Sequence, residues 1–264
     1  MIKNYIFYWP DKKVIYIPIH KNGSSFTDVF IEKLNYLNVD LNHIVLEVDL
    51  PINHRTFEKI GGVEDKHIIS TKRNPYERLF SEFRYHGIKN MVKNLQHEGQ
   101  FLDVDHADDD EKYNFFSKGG EIIDDSFISD ELYIELLDKF IAMRCYATLW
   151  CPSDPHSLPQ CFRWGSDKTN IIPNELLPVE DFRESLYRLY KALFYTADMG
   201  NTWDLEMRQE EYYEIYDDVI RKNGKVNQTK KRFDTSSLLS KLKNKDLINF
   251  TYHWDFHHGG YKKL

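Results

Sequence analysis

Short apolar runs alternate with segments of helical period through the first hundred residues. Residues 14–19, Val-Ile-Tyr-Ile-Pro-Ile, are apolar without a 3.6-residue repeat, the pattern of a strand buried on both faces. Lys21-Asn22-Gly23-Ser24-Ser25 then turns the chain, and Phe26, Val29, Phe30 and Leu34 recur at helical spacing, with Ser24 or Ser25 as N-cap. Further strands are predicted at 43–48 and 67–71. The second of these runs into Lys72-Arg73-Asn74-Pro75-Tyr76-Glu77-Arg78-Leu79-Phe80-Ser81. There Asn74 as N-cap, Pro75 at the first helical position and Glu77 at the capping-box position begin a helix whose apolar face is Tyr76, Leu79, Phe80 and Phe83. Successive strand–helix units predict an α/β fold: a central parallel sheet with helices on both faces, the strand at 14–19 lying beside the strand at 67–71.

Beyond residue 95 the pattern changes. Residues 96–125 are acidic around Asp108-Asp109-Asp110-Glu111 and read as a mobile insertion or lid. Helical periodicity returns over 128–150. Pro152, Pro155 and Pro159 make 151–160 an irregular loop, followed by a short strand at 170–173, helices at 179–195 and 205–222, a basic stretch at 225–232, and one helix at 238–261 running into an aromatic, His-rich tail. With no internal repeat and no linker, residues 1–264 are expected to form a single domain.

Charge narrows the choice of partners. The chain has 264 residues, 41% of them hydrophobic and 29% charged, an ordinary globular balance. Its 35 Lys and Arg against 42 Asp and Glu leave a net charge of −7, which argues against a sheath for nucleic acid or an anionic membrane. The basic run Lys225, Lys230, Lys231 and Arg232 is too small to offset this, so any anion site must be local. No stretch approaches the roughly 20 apolar residues of a membrane span. The first ten residues lack a signal-peptide core, so a soluble cytoplasmic protein is expected. Cys145, Cys151 and Cys161 read as reduced packing residues.

The chemistry concentrates in the two strand-to-helix turns. Backbone N–H groups at a helix N-terminus, opened by Gly23 and joined by the Ser24 and Ser25 hydroxyls, suit a phosphate, and Lys21 adds positive charge. The spacing is not that of a Walker motif. Each turn alone is also an ordinary capped connection. Two such turns on adjacent parallel strands face one crevice, where open α/β sheets bind ligands, and could take two anionic groups of one nucleotide. Asp103, Asp105, His106, Asp108 and Asp110 lack the spacing of a calcium loop and read as a solvated acidic segment; no metal is expected.

These residues carry a family resemblance. Ile17-Pro18-Ile19-His20-Lys21-Asn22-Gly23-Ser24-Ser25-Phe26 resembles the 5′-phosphosulfate loop of sulfotransferases that use 3′-phosphoadenosine 5′-phosphosulfate (PAPS). Arg73-Asn74-Pro75-Tyr76-Glu77-Arg78-Leu79-Phe80-Ser81 resembles the Arg-x-Pro-x-x-Arg-Leu-x-Ser 3′-phosphate motif of the Golgi carbohydrate sulfotransferases, the branch that includes the heparan sulfate 2-O-sulfotransferases. His156-Ser157-Leu158-Pro159-Gln160 is similar to that branch's His-x-x-Pro-Gln loop. Asn227-Gln228-Thr229 with Tyr252, Asp255, Phe256, Gly260 and Tyr261 is similar to its C-terminal signature. The resemblance runs from about residue 14 to 261, with 84–150 unmatched. His20 departs from the small residue common before the loop lysine.

The resemblance implies a P-loop-like three-layer fold and sulfuryl transfer from PAPS to a hydroxyl of a saccharide or polysaccharide. It implies a cofactor site of Lys21, Asn22, Gly23, Ser24, Ser25, Phe26, Arg73, Ser81, Asn227 and Thr229. Lys21 would stabilise the leaving phosphate, while Arg73 and Ser81 would hold the 3′-phosphate. A base is also required, and imidazole has the nearest unperturbed pKa. His54, between the second and third strands, is the first choice. His156 and Glu47 are the alternatives, while His156 and His20 are also candidates for contact with the acceptor. A lumenal domain trimmed of its anchor is the alternative location. A catalytically silent nucleotide- or glycan-binding module is the alternative function, and a P-loop kinase a more distant one.

Overall fold

In the computed structural model, residues 5–19, 24–37, 41–48, 54–88, 91, 129–150, 158–164, 172–195, 202–223 and 233–264 are described. The strands among them are β1 (Tyr5–Trp9), β2 (Val14–Ile17), β3 (Ile44–Glu47), β4 (His67–Lys72) and β5 (Glu175–Pro178). The α-helices are α1 (Ser24–Leu37), α2 (His54–Glu58), α3 (Pro75–Glu82), α4 (Asp130–Trp150), α5 (Cys161–Trp164), α6 (Phe182–Phe194), α7 (Thr202–Asn223), α8 (Thr235–Lys241), α9 (Lys245–Thr251) and α10 (His253–Gly259). They form two compact units, Met1–Arg73 with Pro159–Val226, and Asn74–Leu158 with Asn227–Leu264.

The first unit is a mixed α/β layer structure around a five-stranded sheet of order β3-β1-β2-β4-β5. The expected neighbours are in place: β2 pairs in parallel with β4, Ile17 opposite Ser70, and β4 pairs in parallel with β5. The expectation of a wholly parallel sheet needs correction, because β1 runs antiparallel to both β2 and β3. Its Tyr-Ile-Phe-Tyr-Trp sequence is nearly all buried, so it takes an interior position. Only residues 10–13 separate it from β2, too few for the crossover that a parallel neighbour needs. A 3₁₀ turn at Pro10–Lys12 and a left-handed Lys13 (φ 52°) reverse the chain there. The strand expected at 170–173 forms at Glu175–Pro178, with the Asn174 side chain accepting the Ile68 N–H at 2.6 Å.

Alternation along the strands separates two apolar faces. Phe7, Trp9, Val14, Tyr16, Ile69 and Leu177 pack with Phe30, Ile31 and Leu34 of α1, Leu186, Leu189 and Tyr190 of α6, and Tyr212, Ile215 and Val219 of α7. Ile6, Tyr8, Ile15, Ile17 and Ile68 face the opposite way and are covered by Val48 and by Phe57 of α2. Full burial of each such aliphatic or aromatic side chain is worth about 1.5–3 kcal/mol.

In the second unit the expected apolar face of α3 is the core. Tyr76, Leu79, Phe80 and Phe83 are buried against Tyr133, Leu136, Leu137, Phe140 and Ile141 of α4, together with Leu238, Ile248 and Phe256. An ion pair from the half-buried Arg144 Nη2 to the buried Glu82 Oε1 at 2.9 Å ties α4 to α3. The single helix expected at 238–261 is three short ones. Asn244, between α8 and α9, donates its backbone N–H and its side-chain amide to the Asp138 carboxylate of α4 at 2.8 and 2.7 Å, and this tertiary contact replaces continued helix. Cys145 and Cys161 are buried free thiols, and burial pushes Cys145 up to about 11. Among the described residues no helix is long and apolar enough to cross a membrane. The insertion predicted at 96–125 lies outside the described residues.

Asp28 of α1 accepts a hydrogen bond from the Tyr5 hydroxyl of β1. Burial raises its pKa to about 6; the Tyr5 bond opposes that shift and Glu32 adds to it. The unfolded chain therefore loses this proton first, and stability falls as pH rises from about 4 to about 6. Asn at 28 keeps an acceptor for Tyr5 and does not titrate. Asp28→Asn is expected to remove about 1–2 kcal/mol of the loss between pH 4 and pH 7, allowing for partial exposure of the carboxyl, as read from urea unfolding at the two pH values.

Candidate functional site

The β2–β4 pair sets the site. Ser70, buried in β4, donates its hydroxyl to the Ile17 carbonyl at 2.8 Å, so β2 ends opposite Ser70 and β4 runs two residues further in the same direction, to Lys72. Past β2, Ile19 is buried with Cys161 of α5 and Leu176 of β5. His20, Lys21, Asn22 and Gly23 lie outside the described residues, and α1 opens at Ser24, which is half-buried. Ser25 is helical, but its side chain is outside the description. The Phe26 ring packs against Phe182 at 5.4 Å and Tyr216 at 5.6 Å, which makes it an anchor for the first turn of α1. Below that turn, Tyr16 is fully buried beside Thr27 and Thr71, and desolvation pushes its phenol far above the usual range, keeping it neutral.

The second turn is the better defined. As expected, Asn74 caps α3, its side chain accepting the Tyr76 N–H at 3.0 Å, and Pro75 follows at the first helical position. The Glu77 carboxylate accepts the Thr235 hydroxyl. Arg73 is fixed at its backbone: its N–H donates to Gln160 Oε1 at 2.9 Å, and its carbonyl accepts from Gln160 Nε2 at 2.8 Å. One buried side-chain amide thus supplies both hydrogen bonds that a neighbouring strand would supply just past the end of β4. In the second unit, Arg78 is buried and donates Nη1 to the Leu158 carbonyl at 2.8 Å, which gives the second arginine of the motif a structural task. Ser81, on α3, is half-buried.

The candidate bases are placed less fully. His54 is the first residue of α2, on the return from β3 to β4, but its side chain lies outside the described set. Glu47 ends the edge strand β3 and is exposed; β1 stands between it and β2, two inter-strand spacings or about 9–10 Å away. His156, Asn227 and Thr229 lie outside the described residues. Nothing in the sequence pattern gives Gln160 a task; the resemblance of 156–160 to a family loop is the one signal for it.

Chemically, the edge of the sheet presents a helix N-terminus after β2 and an arginine with a fixed backbone after β4, an arrangement suited to two separate anionic groups. Gln160→Leu removes both hydrogen bonds to the Arg73 backbone. It is expected to cost roughly 1–3 kcal/mol in urea unfolding, from the loss of two half-buried hydrogen bonds. Comparison with family models, with characterised proteins and with solved structures gives no match.

Proposed function

We propose that the chain is a PAPS-dependent sulfotransferase acting on a saccharide hydroxyl, built on a P-loop-like three-layer fold. The observation that supports this reading best is the parallel pairing of β2 with β4, Ile17 opposite Ser70, since α1 follows β2 and Arg73 follows β4. The turns after these strands carry the two motifs whose family counterparts hold the 5′-phosphosulfate and the 3′-phosphate.

In this proposal the acceptor oxygen attacks sulfur in line, the bond from sulfur to the 5′-phosphate oxygen breaks, and the electron pair leaves with the phosphate. Lys21 and the N–H groups at the start of α1 stabilise that developing charge, with Asn22, Ser24 and Ser25 completing the loop. Arg73 holds the 3′-phosphate by a charge-assisted fork, with Ser81 as the hydroxyl partner and Asn227 and Thr229 on the cofactor side. His54 takes the proton of the acceptor hydroxyl, because a neutral imidazole is available near pH 7. His156 and His20 are assigned to the acceptor.

Thermal unfolding with 3′-phosphoadenosine 5′-phosphate against ATP tests the reading. The bisphosphate at 100 times its Kd should add about 2.7 kcal/mol, and ATP at the same concentration much less. Preference for ATP overturns it. Arg73→Ala should weaken bisphosphate binding, and Lys21→Ala should chiefly lower turnover. His54→Ala should leave nucleotide binding intact while turnover with a saccharide acceptor falls by roughly 10²–10⁴.

A further inference from the structure

The opposite edge of the same sheet carries a second cleft. Val14, His67 and Glu175, the first residues of β2, β4 and β5, line it together with Lys12 of the 3₁₀ turn and Arg188, Lys191 and Ala192 of α6, enclosing about 390 Å³. The parallel strands start here and end at the turns described above, so this cleft is separate from the candidate nucleotide site.

Its charge runs against that of the chain. The protein carries −7 overall, yet this cleft gathers Lys12, Arg188 and Lys191 against one carboxylate, with His67 beside them. The carboxylate is occupied: Glu175 Oε1 lies 3.1 Å from His67 Nε2, and its Oε2 takes Arg188 Nη2 at 2.5 Å. Glu175 therefore holds His67 by a hydrogen bond and Arg188 by an ion pair. Lys191 is steadied over the Tyr187 ring, 4.6 Å from its centroid. Lys12 sits on a short turn closed by left-handed Lys13. Cationic groups restrained before a ligand arrives lose little entropy on binding, and Val14 and Ala192 supply an apolar floor.

We propose that this cleft binds a small anion with a phosphate- or sulfate-type head group. Cationic donors come from two elements, Lys12 of the turn before β2 and Arg188 and Lys191 of α6, and so can approach one anion from two sides. The excess of two Lys or Arg charges matches a dianion. The size of the cleft and the negative charge of the rest of the chain disfavour a long polyanion.

The test is thermal unfolding of the intact chain with inorganic phosphate or inorganic sulfate, against NaCl at equal ionic strength. Wild type, Arg73→Ala and the double variant Lys12→Ala/Lys191→Ala are compared. Neither lysine of the double variant is buried, and its unfolding midpoint in NaCl and its far-UV spectrum serve as the folding control. Either anion should raise the midpoint of wild type and Arg73→Ala equally. The double variant should need at least about 10-fold more anion for the same shift, the loss expected of charge-assisted contacts. The anion that acts at the lower concentration identifies the head group. A shift no larger than that in NaCl overturns the proposal. So does a shift that disappears in Arg73→Ala and persists in the double variant, which would assign the anion to the opposite edge. Neither result bears on the preference for the adenosine bisphosphate over ATP.

Discussion

The register between β2 and β4 is the constraint from which the rest of the first unit follows. Four parallel partners, Val14 to Ile17 opposite His67 to Ser70, are locked at the far end by the Ser70 hydroxyl on the Ile17 carbonyl. A slip of β2 by one residue would turn Ile15 and Ile17 toward the α1 face and Val14 and Tyr16 away from it, out of step with Ile68 and Ile69 of β4. Because the register is held by both layers, the ends of the two strands that lead into the charged motifs are fixed relative to each other.

Arg73 shows how such a turn is kept in place once the sheet has ended. Among the described residues the strand pairing of β4 ends at Lys72, opposite Pro178, and a backbone group that loses its partner is costly. Gln160 answers both the N–H and the carbonyl with one amide, and its neighbour Cys161 is packed against Ile19, just past β2. The backbone of Arg73 is therefore tied to the residue next to the small cluster that packs just past the end of β2.

Much of this was legible from residue pattern. The strand at 14–19, the strand at 67–71 and their adjacency were readable because continuous β-branched runs followed by capped helices allow few topologies. The start of α3 was readable in detail, since Asn74, Pro75 and the Tyr76, Leu79, Phe80, Phe83 stripe are local signals with a local physical cause. What escaped either lacked a periodic signature or was decided by distant contacts. β1 is an aromatic run whose partner is chosen by a short turn, and its antiparallel insertion has no periodic signature. The C-terminal segment has helical period throughout, but Asp138, more than a hundred residues earlier, divides it at Asn244. Gln160 and Arg73 are 87 residues apart and nothing in their spacing announces the pair.

The central claim is that one edge of this sheet holds the two ends of a doubly phosphorylated adenosine. A crystal structure of the chain with bound 3′-phosphoadenosine 5′-phosphate tests it most directly. The account predicts the 5′-phosphate on the N–H groups between Lys21 and Ser25 and the 3′-phosphate on the Arg73 guanidinium. A nucleotide bound elsewhere, or one at that edge with its 3′-phosphate away from Arg73, would contradict it.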